Sequence, residues 1–453
     1  MANRKAKAQE EREKPNKSSV RHTRAIQRDR SKRLLAAPPA EQVEQRLEEL
    51  ILPATSMQQG YYRELGLRVR TLSLAVMVAI VVTLIWRQIG AGSTEIARLL
   101  RAGDLLWVVA CQVSQQAVSE RLREFPSELF LRILLTILPV LQVRWQQRQR
   151  PLPPEIAWAL TQYEQVVAVD GSTLDTLLRR VGLLRGVLPA PLAGKMMAVL
   201  DLASRLPRTI WFDANPDAHD QRFWAQILRF VQAGTLLLFD LGYTNFKAYV
   251  QLTLAGVTFV TRAKSNLSYR VERYLLRTAR VVDALVWVGK GDERQLLRMV
   301  AVLYRGKWYR YLTNEHDSQR LPCQYVVALY WQRWRIEDAY AIVKRLLGLA
   351  YLWTGSQNGI QLQLWATWLL YGVLVDLTDA VAEALNQPFG SISMEMVYRG
   401  LSFFALAVRR GEATDPVVYL AANAKWLGIV KRKRKRVRLG LGLLLNLTNP
   451  SEP

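Results

Sequence analysis

The sequence predicts an α/β core with a β-rich insertion, an all-α N-terminal region ahead of it and a helical C-terminal region behind. Three observations carry this. Short apolar runs ending in Gly turns lie at 164–173, 194–214 and 235–243, with one helical stretch, Gln221–Gln232, among them. The stretch 256–320 is rich in Val, Tyr and Trp and is punctuated by Gly. Residues 41–150, and those after 321, carry apolar residues at helical spacing.

Residues 1–40 are polar and lack apolar periodicity, so they cannot bury enough surface to offset the entropy of ordering; a disordered basic tail is expected. The helical region 41–150 contains EQVEQRLEELI, an uncharged run at 71–86, and STEIARLLRAGDLLWVV with Ser93 or Thr94 as N-cap. Within it, Ser114–Arg123 has the pattern of a helix-turn-helix recognition helix. Gln115, Gln116, Ser119 and Arg123 would reach outward, and Val118 and Leu122 would pack. A purely structural helix pair fits that pattern equally well. The runs 71–86 and 364–378 are short of the roughly 20 apolar residues a spanning helix needs, and the second includes Asp376. Both are expected as core helices, with no membrane association.

Lys and Arg number 62 against 38 Asp and Glu, a formal charge of +24. Such a surplus suits a polyanion, since each neutralised phosphate releases condensed counterions. Cys111 and Cys323 are too few for a disulfide framework, and His22, His219 and His316 do not cluster. A bound metal would therefore have carboxylate ligands, which favours Mg²⁺ or Mn²⁺. A reducing, cytoplasmic compartment is expected.

The first part of the core, 151–255, follows a boundary at Pro151, Pro153 and Pro154. In it, Asp170 closes the run VVAV and Asp240 closes LLLF, so each carboxylate is expected at the C-terminal end of a central strand. Adjacent strand ends form the usual ligand crevice of an open α/β sheet. Either aspartate alone is equally a turn starter. Asp175, Asp201, Asp213, Asp217 and Asp220 are further acids near the first strands. In the insertion 256–320, Arg305-Gly306-Lys307 marks a hairpin, and Arg262 and Lys264 follow the strand VTFVT as candidate phosphate contacts.

The second part of the core, 321–380, opens with QYVVALYWQRWRIEDAYAIVKRLL, expected as one long helix. Tyr330, Arg333, Glu337 and Lys344 then fall within about 60° of one face. That stripe could be a solvated salt-bridge face, but Trp331, Trp334, Ile336, Tyr340 and Val343 leave little of the helix free for water. Residues 381–453 are expected to be helical, with a basic run at Lys431–Arg438 suited to non-specific DNA contact.

The spacing Tyr-x2-Arg-x3-Glu-x6-Lys, with VVAVDGS, His219–Asp220, FDLGY, TRAKSN and Leu346-Leu347-Gly348, resembles DDE transposases of the insertion-sequence-four type over roughly 70–380. The resemblance implies a ribonuclease-H-like core in which Asp170, Asp240 and Glu337 hold two Mg²⁺ ions, with Mn²⁺ as substitute. It implies that Tyr330, Arg333 and Lys344 contact the phosphates of double-stranded transposon ends within a homodimer. The implied reaction is nicking, hairpin formation and strand transfer of the 3′-OH, with an aromatic such as Trp287 or Trp308 stacking on a flipped base. A catalytically silent DNA-binding repressor of the same fold is the alternative. Leu241 departs from the Arg that many members carry after the second Asp.

Overall fold

The computed structural model describes residues 41–88, 92–174, 193–350, 352, 353, 356–431 and 444. The tail 1–40, Asp175 and nearly all of the Lys431–Arg438 run lie outside the described residues.

Helices α1 (Glu41–Ser56), α2 (Gln59–Glu64), α3 (Leu74–Trp86), α4 (Ser93–Ala102), α5 (Gln115–Glu124), α6 (Glu128–Gln147) and α7 (Pro154–Gln162) build the N-terminal region. The uncharged run forms α3, buried continuously from Met77 to Trp86. Gly92, not Ser93 or Thr94, is the N-cap of α4, and no side chain caps that end. Ser114 caps α5 by accepting from the Ala117 N–H, which satisfies one of the first-turn donors.

The sheet strands are β1 (Gln165–Thr173), β2 (Lys195–Asp201), β3 (Pro207–Asp213), β4 (Thr235–Phe239), β5 (Thr258–Arg262), β6 (Arg270–Arg277), β7 (Val281–Val288), β8 (Gln295–Tyr304) and β9 (Lys307–Thr313). They form one nine-stranded sheet in the order β3-β2-β1-β4-β5-β9-β8-β7-β6. β1–β2 and β2–β3 are antiparallel, while β1–β4 and β4–β5 are parallel. The insertion does not form a separate layer: β9 pairs antiparallel with β5, and the β6–β9 meander extends the core sheet. The VTFVT strand, grouped above with the insertion, is β5 and lies in parallel beside β4. Arg305 (φ 51) and Gly306 (φ 73) form the two-residue β8–β9 hairpin, as their sequence suggests.

Alternation along β1 feeds two cores. Val166 and Ala168 face one hydrophobic cluster, and Val167 and Val169 face the other. On the second face pack α8 (Trp224–Phe230) and α9 (Phe246–Leu254), through Trp224, Ile227, Tyr249 and Leu252. On the first lie α10 (Cys323–Gln332), α11 (Arg335–Ala341), α12 (Gln357–Ala384) and α13 (Met394–Arg409), with α14 (Pro416–Ala422) closing the C-terminal side. By length and composition α12 could cross a membrane, yet 78% of its most apolar window is buried inside the protein. Arg148 and Arg150 clamp it to the end of α6 through Asp376 and Asp379.

The stretch expected as one long helix is broken. α10 ends at Gln332, and i→i+3 hydrogen bonds join Arg333 to Tyr330 and Ile336 to Arg333 before α11 resumes. After Ala341 the chain widens into a π-helical turn, Ile342–Leu346. No Pro or Gly marks either irregularity.

Candidate active site

Ala168 of β1 pairs with Leu238 of β4, so Asp170 and Asp240, each two residues further on, stand level on neighbouring parallel strands. Local hydrogen bonds fix both. The Gly171 N–H donates to Asp170 Oδ1 at 2.9 Å, and the Gly242 N–H donates to Asp240 Oδ1 at 2.7 Å. The Thr261 hydroxyl holds the Asp240 carbonyl at 3.2 Å.

The break between α10 and α11 delivers the third acid. Arg333, buried at the break, donates through Nη1 to Asp170 Oδ2 at 3.0 Å and through Nη2 to Glu337 Oε1 at 3.4 Å. The Arg333 Nε is buried and has no partner. Burial pushes the Asp170 carboxyl up to about 7; Arg333 opposes this, and Asp240 and Glu337 add to it. Glu337 is also raised, first by burial, against the pull of Arg333. For Arg333 burial works against the charge, but Asp170, Tyr330, Asp240 and Glu337 outweigh it and raise its pKa. Two carboxylates thus share one guanidinium, and Asp240 adds a third negative charge beside them without a salt bridge to it. Among the described residues no three His, Cys, Asp or Glu side chains are already gathered around a single point. The donors are all hard oxygens, and their surplus of negative charge fits a divalent cation.

Tyr330 and Lys344 sit nearby, but inside the protein. The Tyr330 ring packs at 5.0 Å from that of Tyr311, and Lys344 Nζ donates to the Thr173 carbonyl at the end of β1. Both are buried, as is Arg333, so none of the three faces solution freely. Arg262 is half-buried, its guanidinium 5.2 Å from the Tyr309 ring, and Lys264 is exposed. Together with Leu241, Trp308 and Arg310 these two line an open cleft beside Asp240. Trp287 instead donates from Nε1 to Glu272, with Arg294 over its ring. Gln115, Gln116 and Arg123 are exposed on α5, which packs on α4 and α12 rather than at the acidic centre.

The other acids are accounted for locally. Asp201 accepts from the Ala203 and Ser204 N–H groups, Asp213 caps Asn215, and Asp217 is exposed. Asp220 is different. Its carboxylate pairs with Lys195 Nζ at 2.5 Å, and it stands so close to Gly171 that a Cβ there would collide with it. A Cβ on Gly242 would lie 2.9 Å from Asp240 Oδ1 and 3.7 Å from Asp220 Oδ2. Gly171, inside β1, and Gly242, in the turn after β4, therefore make room for carboxylates.

Sequence reasoning missed Lys195 and the role of Tyr340. The Tyr340 hydroxyl, one helical turn beyond Glu337, accepts from the Ala198 N–H at 3.1 Å and donates to the Asp170 carbonyl at 2.5 Å. Ala198 and Asp170 face each other in the β1–β2 register, so the hydroxyl fastens α11 to the sheet beside the first acid. No local pattern announces a contact spanning 170 residues.

Residues 164–372 match a family described as "Transposase DDE domain"; that segment runs from β1 into α12 and contains all three acids. A curated relative, the putative transposase y4zB of Sinorhizobium fredii, is 30% identical over 192 residues, covering 40% of this chain and 52% of its own. The chain thus spans about half the length of that relative. Among solved structures, a piggyBac transposase synaptic complex with hairpin DNA aligns over 86% of this chain and 84% of its own. At 10% identity and a TM-score of 0.38 that likeness is too low to define a shared fold.

Proposed function

We propose that this protein is a DDE transposase of an insertion sequence, a cut-and-paste enzyme that nicks element ends and joins the freed 3′-OH to target DNA. The observation that carries the reading is Asp170 and Glu337 meeting on Arg333, with Asp240 level on the next parallel strand, inside the segment that matches a transposase DDE domain. The strand order β3-β2-β1-β4-β5, antiparallel then parallel, supports a ribonuclease-H-like core with an appended meander. Domains of this family generally depend on divalent metals.

Asp170, Asp240 and Glu337 would hold the metal, with Mg²⁺ or Mn²⁺ as the fitting ions. Bound there, the ions would lower the pKa of the attacking water and neutralise charge on the in-line phosphoryl group. The chain's own residues do the positioning. Tyr340 and the Gly171 N–H fix Asp170, the Gly242 N–H fixes Asp240, and Arg333 keeps Glu337 turned toward Asp170. The Arg333 fork, which here holds two carboxylates, would suit phosphate oxygens as well. Hairpin formation, homodimeric pairing of ends and a cytoplasmic, nucleoid-associated location follow from the same reading. In it, 41–150 and the exposed face of α5 form the DNA-binding region, and 381–453 is a helical C-terminal region with a basic tail.

The test is incubation of the purified protein with duplexes from the flanking element ends, with and without Mg²⁺. Metal-dependent nicks at the element termini are expected, and Glu337→Gln should bind the same duplex without cutting it. Cutting by Glu337→Gln at the wild-type rate refutes the assignment.

A further inference from the structure

The β6–β9 meander is electrically polar along its strands. Register places the C-terminal ends of β5, β6 and β8 and the N-terminal ends of β7 and β9 on the side of the sheet where Asp170 and Asp240 lie. Arg262 pairs with Tyr311, Tyr304 with Lys307, Val281 with Val302, and Arg277 with Val282. Three chain segments form this rim, 262–269, 277–282 and 303–311, and none contains an Asp or Glu. The first carries Arg262 and Lys264. The β6–β7 turn carries Arg277 and Arg280, both exposed. The β8–β9 hairpin adds Arg305 and Lys307, with Arg310 behind them. The opposite end of the same strands is balanced: Lys290 and Arg294 stand against Asp292 and Glu293 in 289–295, and Arg320 pairs with Glu315.

Aromatic rings hold several rim guanidiniums in place. Arg262 lies over Tyr309 at 5.2 Å, Arg277 over Tyr274 at 5.0 Å and Arg305 over Tyr304 at 5.2 Å. Stacking leaves the N–H edges of Arg262 and Arg277 available for phosphate oxygens. Asp240 stands beside this row, because Phe239 pairs with Thr261 immediately before Arg262.

We propose that the rim is a duplex-DNA track, along which the backbone of the DNA being cut leaves the acidic centre and reaches the β6–β7 turn. From β4 to β6 there are five interstrand steps, which at about 4.8 Å each span about 24 Å. At about 3.4 Å per base pair, the turn meets phosphates about seven base pairs from the scissile one. The direction of travel rests on the active-site reading above; the binding of duplex does not.

The test measures binding of a fluorescein-labelled duplex of about 30 base pairs by anisotropy, without divalent metal and across a KCl series. Arg277→Gln with Arg280→Gln removes two rim charges from an exposed turn. Arg270→Gln with Arg273→Gln removes two exposed charges from the half of the same strand away from the rim, with melting temperature checked for both. The first pair should flatten the slope of log K against log [salt] by about 2, and the second should leave it unchanged. Equal flattening by both pairs, or none by the first, overturns the proposal. If rim-dependent binding appears but Mg²⁺ never produces nicks, the track stands and the transposase reading falls. If the wild type nicks while the rim variant binds as wild type does, the reading stands and the track falls.

Discussion

Replacing Tyr340 by Phe removes a single oxygen atom that serves two buried main-chain groups, the Ala198 N–H and the Asp170 carbonyl. Left apart and unpaired, these would cost about 1–3 kcal/mol each. They face each other across β1 and β2, however, and can close toward one another once the oxygen is gone. Closure recovers much of the energy, leaving a net loss of about 1–2 kcal/mol, but it draws β1 toward β2 at Asp170. A displacement of about 1 Å at a reacting centre costs about a hundredfold in rate, so a fraction of that shift should slow cleavage roughly tenfold or more. Tyr371→Phe is the matched control: its hydroxyl donates to the Arg205 carbonyl at 3.0 Å, it is just as buried, and it lies on α12 away from the acids. Melting curves and single-turnover nicking of an end duplex, run in Mg²⁺ and in Mn²⁺, give the comparison. Both variants should melt a few degrees lower, whereas only Tyr340→Phe should slow nicking and shift the metal concentration giving half-maximal rate. Equal rates for the two variants, or a Tyr340→Phe rate within about twofold of wild type, would refute the positioning role.

Two other predictions concern the same centre. The folded-state pKa of Asp170 is raised to about 7 from an ordinary 3.8, so the fold holds a proton there that the unfolded chain releases. That contribution to stability is complete below about pH 4 and is lost as pH rises through about 7. In metal-free protein, Asp170→Asn should therefore raise the melting temperature above pH 7 and do little near pH 4; a uniform effect across that range would count against the shift. Gly171→Ala would drive a methyl into the Asp220 carboxylate and against Lys195, so nicking should fall by an order of magnitude or more while duplex binding survives. Wild-type nicking by that variant would mean that the crowding between the strand ends is inconsequential.

Asp170, expected to close its strand, lies inside β1, which runs on to Thr173 because β2 still pairs with it there. Asp240 is legible because LLLF is an apolar run of strand length stopped by an acid and a glycine, a local signal. The hairpin at Arg305-Gly306 is legible for the same reason. The long helix is not: its side-chain pattern is continuous, and it breaks at Arg333, where a guanidinium is turned inward to two acids, one of them 163 residues away in the chain. The expected stripe of Tyr330, Arg333, Glu337 and Lys344 assumed an unbroken helix, and the π-helical turn at Ile342–Leu346 rotates Lys344 onto the end of β1. Strand β6 escapes notice because RVERYLLR is charged and mostly exposed, as an outer edge strand can be when only one side is paired. Exposed charges such as Arg270, Glu272 and Arg273 suit an unpaired edge, while Arg277 alone of the β6 cations lies on the rim.

The central claim is that Asp170, Asp240 and Glu337 share bound divalent cations when DNA is present. Substituting Fe²⁺ for Mg²⁺ in the protein–duplex complex and adding ascorbate and peroxide generates hydroxyl radicals at the ion, which cut the nearest backbone. Chain cuts are expected beside residues 170, 240 and 337, suppressed by excess Mg²⁺ and lost in Asp240→Asn. Cuts that leave one of those three segments untouched, or that persist unchanged in Asp240→Asn, would contradict it.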